Sequence, residues 1–449
     1  MKQVYIIGFF LFQFNSNAQE SIRPQINPDL FGFCTSNTFT YCDINDTNFT
    51  TKVNEINPNV LRFPGGLMGN FYHYHAKGYG FDVNEVANCH GQKFPKRVKG
   101  LIKDQKTRGH THNYIDDFIV LAKQNNSKVI IVANIITSKE DEIIYVIKQF
   151  RSEGIQILGV ELGSELSNRA YKSYINSVED YILLAKKYSS IIKEKYPEIK
   201  VGVVAAPIKQ KTPRRLISWN ERLSRESFYD AVICHSYLKV IDGDDDYGLM
   251  VREDKIDDSK EVQFDLYKDR VITYFNSGFV KEIERYNKIF DKEIWLTEWN
   301  LQMSKTTGNT MLQSLFVAQY FLELLSNSKL QGISISTYHN LGGRDVSGSI
   351  FMGGRGKDDF DIHSTFYPLT FISQIFQQNI VRIDKKIEEG SVFSYYCFDL
   401  EDNLSLKIVI NWRENKFSSF KIINGELIDK THYISQDLFS IPNNKGHYR

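Results

Sequence analysis

The sequence predicts a (β/α)8 barrel, the TIM barrel, followed by a small C-terminal antiparallel β domain. Three observations carry that expectation. Short apolar runs rich in Val and Ile lie at residues 30–33, 60–63, 129–133, 155–162, 201–206, 231–234, 294–296 and 333–337. Amphipathic helical stretches fill the gaps between them. Beyond about residue 380 the pattern gives way to alternating β runs closed by turn residues such as Asn424-Gly425. Mostly uninterrupted apolar runs suit parallel strands buried on both faces, and eight of them alternating with helices is the arithmetic of a barrel. A doubly wound sheet would usually announce itself by a glycine-rich phosphate turn after the first strand. Cys34-Thr35-Ser36-Asn37 is not one.

Taken in order, residues 1–19 read as a signal peptide. Lys2 precedes an apolar run over 4–14 that is too short to span a bilayer. Small residues Ser16 and Ala18 then lead to a cleavage point after Ala18 or Gln19. This predicts a secreted or periplasmic protein, in which Cys34, Cys42 and Cys89 are able to pair. Cys234, inside an apolar run, reads as a core residue.

The barrel is expected over residues 20–380. Gly154 caps the end of a helix running through Ile143 and Phe150. Ser177 caps another whose Val178, Ile182, Ala185, Ser189 and Ile192 share a face, with Asp180 completing a capping box. Thr212 reads as an N-cap with Pro213 at the first helical position, and residues 309–325 as a further long helix. Residues 381–449 are expected to form the β domain from runs at 392–399, 404–412 and 417–423, with residues 20–28 returning to complete it.

Composition narrows the function classes. A chain of 449 residues that is 42% hydrophobic and 24% charged is not disordered, collagen-like or a coiled coil. Its 55 basic and 54 acidic residues leave +1, so no bulk charge points to nucleic acid or a membrane surface. No segment after the signal peptide is long and apolar enough for a membrane span. Charge is nonetheless uneven. Lys93, Lys96, Arg97, Lys99, Lys103, Lys106 and Arg108 stand against Asp104 alone, and Lys209, Lys211, Arg214 and Arg215 follow the fifth strand. Two basic loops on one rim suit an anionic, sulfated or uronic, glycan; a solvated face balanced by neighbouring acids is the competing reading. Asp242, Asp244 and Asp246 read as a hydrated acidic turn, since the loop lacks the terminal glutamate of a calcium loop. His73 with His75, and His110 with His112, have no third ligand fixed by spacing, so no metal site is predicted.

In a barrel of this kind the active site is built at the C-terminal ends of the strands. Position alone nominates Arg62 and Pro64-Gly65-Gly66 after the second strand, Asn134 after the third, and Glu161, Ser164 and Glu165 after the fourth. It adds His235, Ser236 and Tyr237 after the sixth, Glu298, Trp299 and Asn300 after the seventh, and Tyr338, His339 and Asn340 after the eighth. Glu165 and Glu298 each close a strongly apolar run, where an unpaired charge is costly unless partnered or functional. Two facing acids are what cleavage of a glycosidic bond requires, one protonated for the leaving oxygen and one ionised to attack the anomeric carbon. An isolated glutamate at a strand end is equally at home in a structural salt bridge.

Specific residues extend this reading. Val160-Glu-Leu-Gly-Ser-Glu165, Ile294-Trp-Leu-Thr-Glu-Trp-Asn300, the Leu-Arg-Phe-Pro-Gly-Gly run at 61–66 and the His-Ser-Tyr at 235–237 resemble clan A glycoside hydrolases. The similarity is closest to the relatives that include α-L-arabinofuranosidases, β-xylosidases, and heparanase or β-glucuronidase enzymes. It covers the barrel, roughly residues 29–380.

The resemblance implies a retaining hydrolase of polysaccharides or oligosaccharides that needs no cofactor. Glu165 would be the general acid/base and Glu298 the nucleophile. It implies that Tyr237 hydrogen-bonds the nucleophile, that Arg62 keeps it ionised, and that Trp299 and Asn134 border the sugar. His235 and His339 would contact sugar hydroxyls. Glu161 would be a further acid behind the pair or a barrel-interior salt bridge. There are two departures: Ser164 stands where the clan usually has Asn, and Tyr338-His339 where many relatives place Trp. The alternative is a carbohydrate-binding pseudoenzyme of a glycan-uptake system.

Overall fold

A computed structural model describes residues 26–91, 93–208, 212–241, 260–302, 304, 306–345, 348–354, 360–423 and 425–434. The expectations for residues 1–19, for Lys209 and Lys211, and for Asp242, Asp244 and Asp246 fall outside them. Strands β1 (Gly32–Cys34), β2 (Val60–Phe63), β3 (Lys128–Ala133), β4 (Ile157–Leu162), β5 (Lys200–Val204), β6 (Ala231–Leu238), β7 (Glu293–Leu301) and β8 (Ile333–His339) form a closed barrel in chain order. Every neighbouring pair is parallel, and β1 closes onto β8.

Glycines on two neighbouring strands make room for the barrel's largest side chain. A Cβ on Gly159 or Gly202 would lie 2.2 Å or 2.7 Å from the ring of Trp295, which is fully buried. Strands β6 and β7 run well past the apolar runs at 231–234 and 294–296. Their ends alternate, so polar residues that turn into the barrel mouth continue a strand whose outward residues pack under helices. A reading that stops at the first polar residue stops short.

The helices are α1 (Thr38–Tyr41), α2 (Thr47–Ile56), α3 (Gly66–Phe71), α4 (Val83–Ala87), α5 (Lys93–Thr107), α6 (Tyr114–Gln124), α7 (Glu140–Ser152) and α8 (Val178–Lys195). They continue with α9 (Arg214–Leu223), α10 (Lys260–Thr273), α11 (Phe279–Asn287), α12 (Met311–Ser326), α13 (Phe366–Ile372) and α14 (Gln374–Gln377). Ser177 caps α8 with Asp180 closing the box, and Gly154 lies just past α7 at φ +75°. Helix α9 begins one residue later than expected. Pro213 is itself the cap at ψ 141°, because the fixed φ of proline serves an extended ψ as well as a helical one. Asn309 is left-handed at φ 54°, so α12 starts at Met311 under the Thr310 cap. The basic stretch from Lys93 is no loop. Pro95, Val98 and Leu101 recur at helical spacing and are buried, which turns the lysines of α5 outward.

After β8 come β9 (Gly342–Gly343), β10 (Phe351–Gly353) and β11 (Phe360–Ile362) as a small sheet. The C-terminal unit is a five-stranded antiparallel sheet of β12 (Arg382–Glu388), β13 (Val392–Phe398), β14 (Leu404–Asn411), β15 (Lys416–Ile423) and β16 (Glu426–Ile434), paired in chain order. Residues 26–28 do not complete it. Asn27 instead donates to the Ser334 carbonyl at 2.8 Å, which ties this segment to the start of β8. The sheet is completed locally by β12 and β16. Helix α12 lies between barrel and sheet, and is buried almost all round as that position demands. Trp412 donates to Gln319 at 2.6 Å, and Tyr395 and Lys385 both meet Glu323, at 2.7 Å and 2.5 Å. All five cysteines are buried free thiols, so the expected pairing among Cys34, Cys42 and Cys89 does not occur; each lies within the core instead.

Two stability predictions follow from this packing. Trp412→Ala empties a fully buried site between sheet and α12 and is expected to cost about 3–5 kcal/mol in urea unfolding. A loss under about 1 kcal/mol would show that the sheet does not brace the barrel. His73 sits between Glu142 at 3.2 Å and Glu85 at 2.8 Å, joining α7 to α4. The hydrogen bond to Glu142, with help from Glu85, outweighs burial and raises the imidazole from 6.5 to about 9. A raised folded-state value means the stabilisation is complete below about 6.5 and vanishes as pH rises through about 9. The melting temperature should therefore fall more steeply between pH 7 and 10 in the native chain than in His73→Gln. Parallel profiles would contradict the link.

Candidate active site

The mouth of the barrel is organised around Arg62 at the end of β2. Its guanidinium is fully buried, and a buried cation persists only where carboxylates meet it closely. Glu161 on β4 takes it in a two-point clamp, from Nε at 2.7 Å and Nη2 at 2.6 Å. The free Nη1 donates to Glu298 Oε1 on β7 at 2.7 Å. Glu161 is thus the barrel-interior salt bridge. One cation against two anions leaves a negative surplus at Glu298, and the neighbours answer it. Tyr237 donates its hydroxyl to Oε2 at 3.1 Å, and His235 Nδ1 lies 3.6 Å from the same oxygen.

These contacts set the ionisation states. Burial pushes the Glu298 carboxyl up, but the charges of His235, His339 and Arg62 outweigh it and hold the group well below the usual carboxylate range. Burial and the nearby Glu298 charge raise the Tyr237 phenol well above its ordinary value, so it stays a donor. Burial depresses the His235 imidazole, yet Glu298 and Glu165 more than reverse this and its pKa rises. The His339 imidazole is lowered by burial, and its Nε2 meets Ser36 Oγ at 3.1 Å.

Strand register makes the constellation possible. A bulge in β7 between Leu296 and Trp299, with Thr297 the extra residue against β6, brings Glu298 level with His235. Such irregularities re-aim side chains. Cys34 pairs in register with both Arg62 and His339, so β1, β2 and β8 present one level.

Glu165 differs from Glu298 in every respect. Its side chain is 48% exposed, its backbone is left-handed at φ +53°, and His235 Nδ1 meets its Oε1 at 3.0 Å. Such a conformation in a non-glycine residue needs support from outside the loop. Buried Asn70, on α3, supplies it. Its Oδ1 accepts from the Ser164 amide at 2.8 Å and its Nδ2 donates to the Ser164 carbonyl at 2.7 Å. Gly163 precedes at φ +82°, where a Cβ would lie 2.3 Å from Leu166. Ser164 Oγ itself faces Arg62 at 3.4 Å. A carboxylate oxygen from each glutamate and His235 Nδ1 all lie within 4.8 Å of one another. These three, and separately Cys34, Glu298 and His339, are close enough to hold a metal ion, although Arg62 already opposes a cation at Glu298.

The structure therefore brings Arg62, Ser164, Glu165, His235, Tyr237, Glu298 and His339 into one cluster and leaves two nominated residues out. Trp299 follows Glu298, so strand alternation turns it outward. There it stacks on Tyr320 of α12 at 3.9 Å, fully buried and turned away from the cluster. Asn134 is spent on its own loop, bonding Thr137, Ile136 and the Tyr72 carbonyl. Missed by sequence reasoning were Asn70, Cys34 and Ser36, whereas Asn300 was among the residues nominated by position. Asn300 ties β7 to β8 through Tyr338 at 3.1 Å and the His339 carbonyl at 2.6 Å. Cys34 and Ser36 stand at the end of β1 and were open to the same positional rule. No pattern marks Asn70.

No protein-family model and no curated protein matches this sequence. Solved structures do. The GH51 arabinofuranosidase from Xanthomonas axonopodis pv. citri superposes with TM-score 0.58 at 12% identity, over 89% of this chain and 83% of that one. The α-L-arabinofuranosidase from Thermotoga maritima gives 0.56 at 13%, over 89% and 83%. The 4-O-α-L-rhamnosyl-β-D-glucuronidase from Fusarium oxysporum 12S gives 0.52 at 12%, over 87% and 78%. At these identities the likeness is one of fold, a closed parallel barrel followed by an antiparallel β domain, shared with these glycoside hydrolases.

Asn70→Leu should leave the chain folded but release the Ser164 peptide. Amide hydrogen exchange over residues 163–166 should then speed up about 10²-fold, because the left-handed turn at Glu165 loses its outside support. Unchanged exchange would show that Asn70 does not hold the turn.

Proposed function

We propose that the chain is a retaining glycoside hydrolase acting on a polysaccharide or oligosaccharide, exported from the cytoplasm by its N-terminal segment. The observation that carries this reading is the carboxylate pair, with oxygens within 4.8 Å and opposite environments. Retaining enzymes keep their carboxyls about 5–5.5 Å apart, and inverting ones about 6.5–9.5 Å to admit a water. Glu298, kept ionised by its neighbours, attacks the anomeric carbon. Glu165 gives its proton to the departing oxygen and then takes one from the water that hydrolyses the glycosyl-enzyme. Tyr237 and Arg62 aim the nucleophile. His235, within reach of both carboxylates, senses the charge of each as the proton moves. The apolar stretch at 4–14 with Lys2 ahead of it supports export.

The test is product release from a panel of plant, animal and algal polysaccharides. Glu298→Ala and Glu165→Gln should each lower turnover about 10³-fold or more. Azide should restore Glu298→Ala by attacking the vacated face, giving a glycosyl azide of inverted configuration. The first-formed sugar from the native chain should keep its anomeric configuration by NMR. Activity that survives both substitutions would remove these carboxylates from the mechanism. Glycan binding without turnover would instead favour a carbohydrate-binding pseudoenzyme.

A further inference from the structure

Beyond Glu165 the rim of the barrel carries positive charge that no carboxylate among the described residues answers. Arg169 opens the short turn Arg169–Tyr171 after β4, and Arg215 lies in the first turn of α9 after β5. Arg215 donates Nη2 to the carbonyl of Ser167 at 2.9 Å, which fixes its guanidinium against the loop that carries Glu165. Among the described residues, neither the rest of that guanidinium nor Arg169 meets a carboxylate. Some exposed arginines elsewhere do, as Arg151 meets Glu198, Arg222 meets Glu226 and Arg382 meets Asp402, while Arg97 on α5 and Arg225 just past α9 stand apart.

The helix repeats the pattern. The first turn of α9 holds Arg214 and Arg215 and no acid, although the positive end of a helix favours anions there. Partial burial and the like charge of Arg169 both depress the Arg215 guanidinium. Two forks and a helix end, all positive and without a counter-charge among the described residues, make an arrangement that an oxyanion relieves.

Building on the hydrolase reading above, we propose that Arg169 and Arg215 form a site for an acidic group, carboxylate or sulfate, on the leaving-group side of the substrate glycan. The side follows from the chemistry. The proton donor must lie against the glycosidic oxygen, so the departing sugar rests on the rim of Glu165, the loops after β4 and β5. An acidic sugar placed there meets a planar fork suited to two oxygens at once.

The experiment is affinity electrophoresis of the full chain carrying Glu298→Ala, so that no polymer is consumed. The probes are matched pairs: polygalacturonate against its fully methyl-esterified form, and dextran sulfate against dextran. At least one acidic polymer should bind about tenfold more tightly than its neutral partner, the scale of a charge-assisted contact. Whichever pair shows it distinguishes carboxylate from sulfate. Adding Arg169→Gln and Arg215→Gln should abolish that preference, whereas Lys103→Gln with Lys106→Gln on α5, the same loss of charge elsewhere, should leave it. Equal binding of charged and neutral polymers would overturn the proposal, as would equal loss in the α5 variant. If the preference tracks the two arginines while the native chain hydrolyses no glycan, the hydrolase reading fails and the anionic site stands.

Discussion

The structure depends on one buried cation. Arg62 sits at the centre of the barrel mouth with no access to solvent, and its five N–H donors are what hold two strands' worth of acid in place. Without it, Glu161 and Glu298 would be two buried carboxylates facing each other, which no barrel core accommodates. With it, Glu161 is consumed as a counter-ion and Glu298 is left ionised and aimed. The glycines that follow serve the same end. A Cβ on Gly65 would lie 2.3 Å from Cys34 Sγ, and Gly66, beside Glu298, is left-handed at φ +55°, so glycine at both positions lets the chain turn this close to the pair.

The two glutamates are made unlike by opposite means. Glu298 stands on a strand, buried and surrounded by donors, and its state is set by charge. Glu165 stands on a strained loop, exposed, and its position is set by backbone. The strain is held from a different crossover, by Asn70 on α3, so the second and fourth β–α connections cooperate in presenting one side chain. His235 joins the halves, with its Nδ1 within reach of both carboxylates.

Support for this arrangement comes from outside the barrel. Helix α12 backs β7, and Tyr320 on its inner face stacks on Trp299, the residue next to Glu298. Its outer face carries Gln319 and Glu323, which receive Trp412, Tyr395 and Lys385 from the C-terminal sheet. The β domain thereby braces the strand that carries Glu298, one helix removed, through fully buried contacts.

Periodicity and the rule that barrel sites form at strand ends made the fold, the eight strands and most of the charged cluster legible. Those features depend on local pattern: apolar runs, caps such as Ser177, and acids that no apolar run would carry without cause. Other features were decided only when the chain closed. Alternation sent Trp299 outward and Glu298 inward, a distinction hidden in an apolar run whose register is shifted by a bulge. Asn134 spent its amide locally, and Asn70 reached across 94 residues to hold Ser164. The sequence by itself determined which residues could not stay unpartnered in a core. Tertiary structure alone decided which partner each one met, because hydrogen bonds and ion pairs depend on distances that only the closed barrel sets.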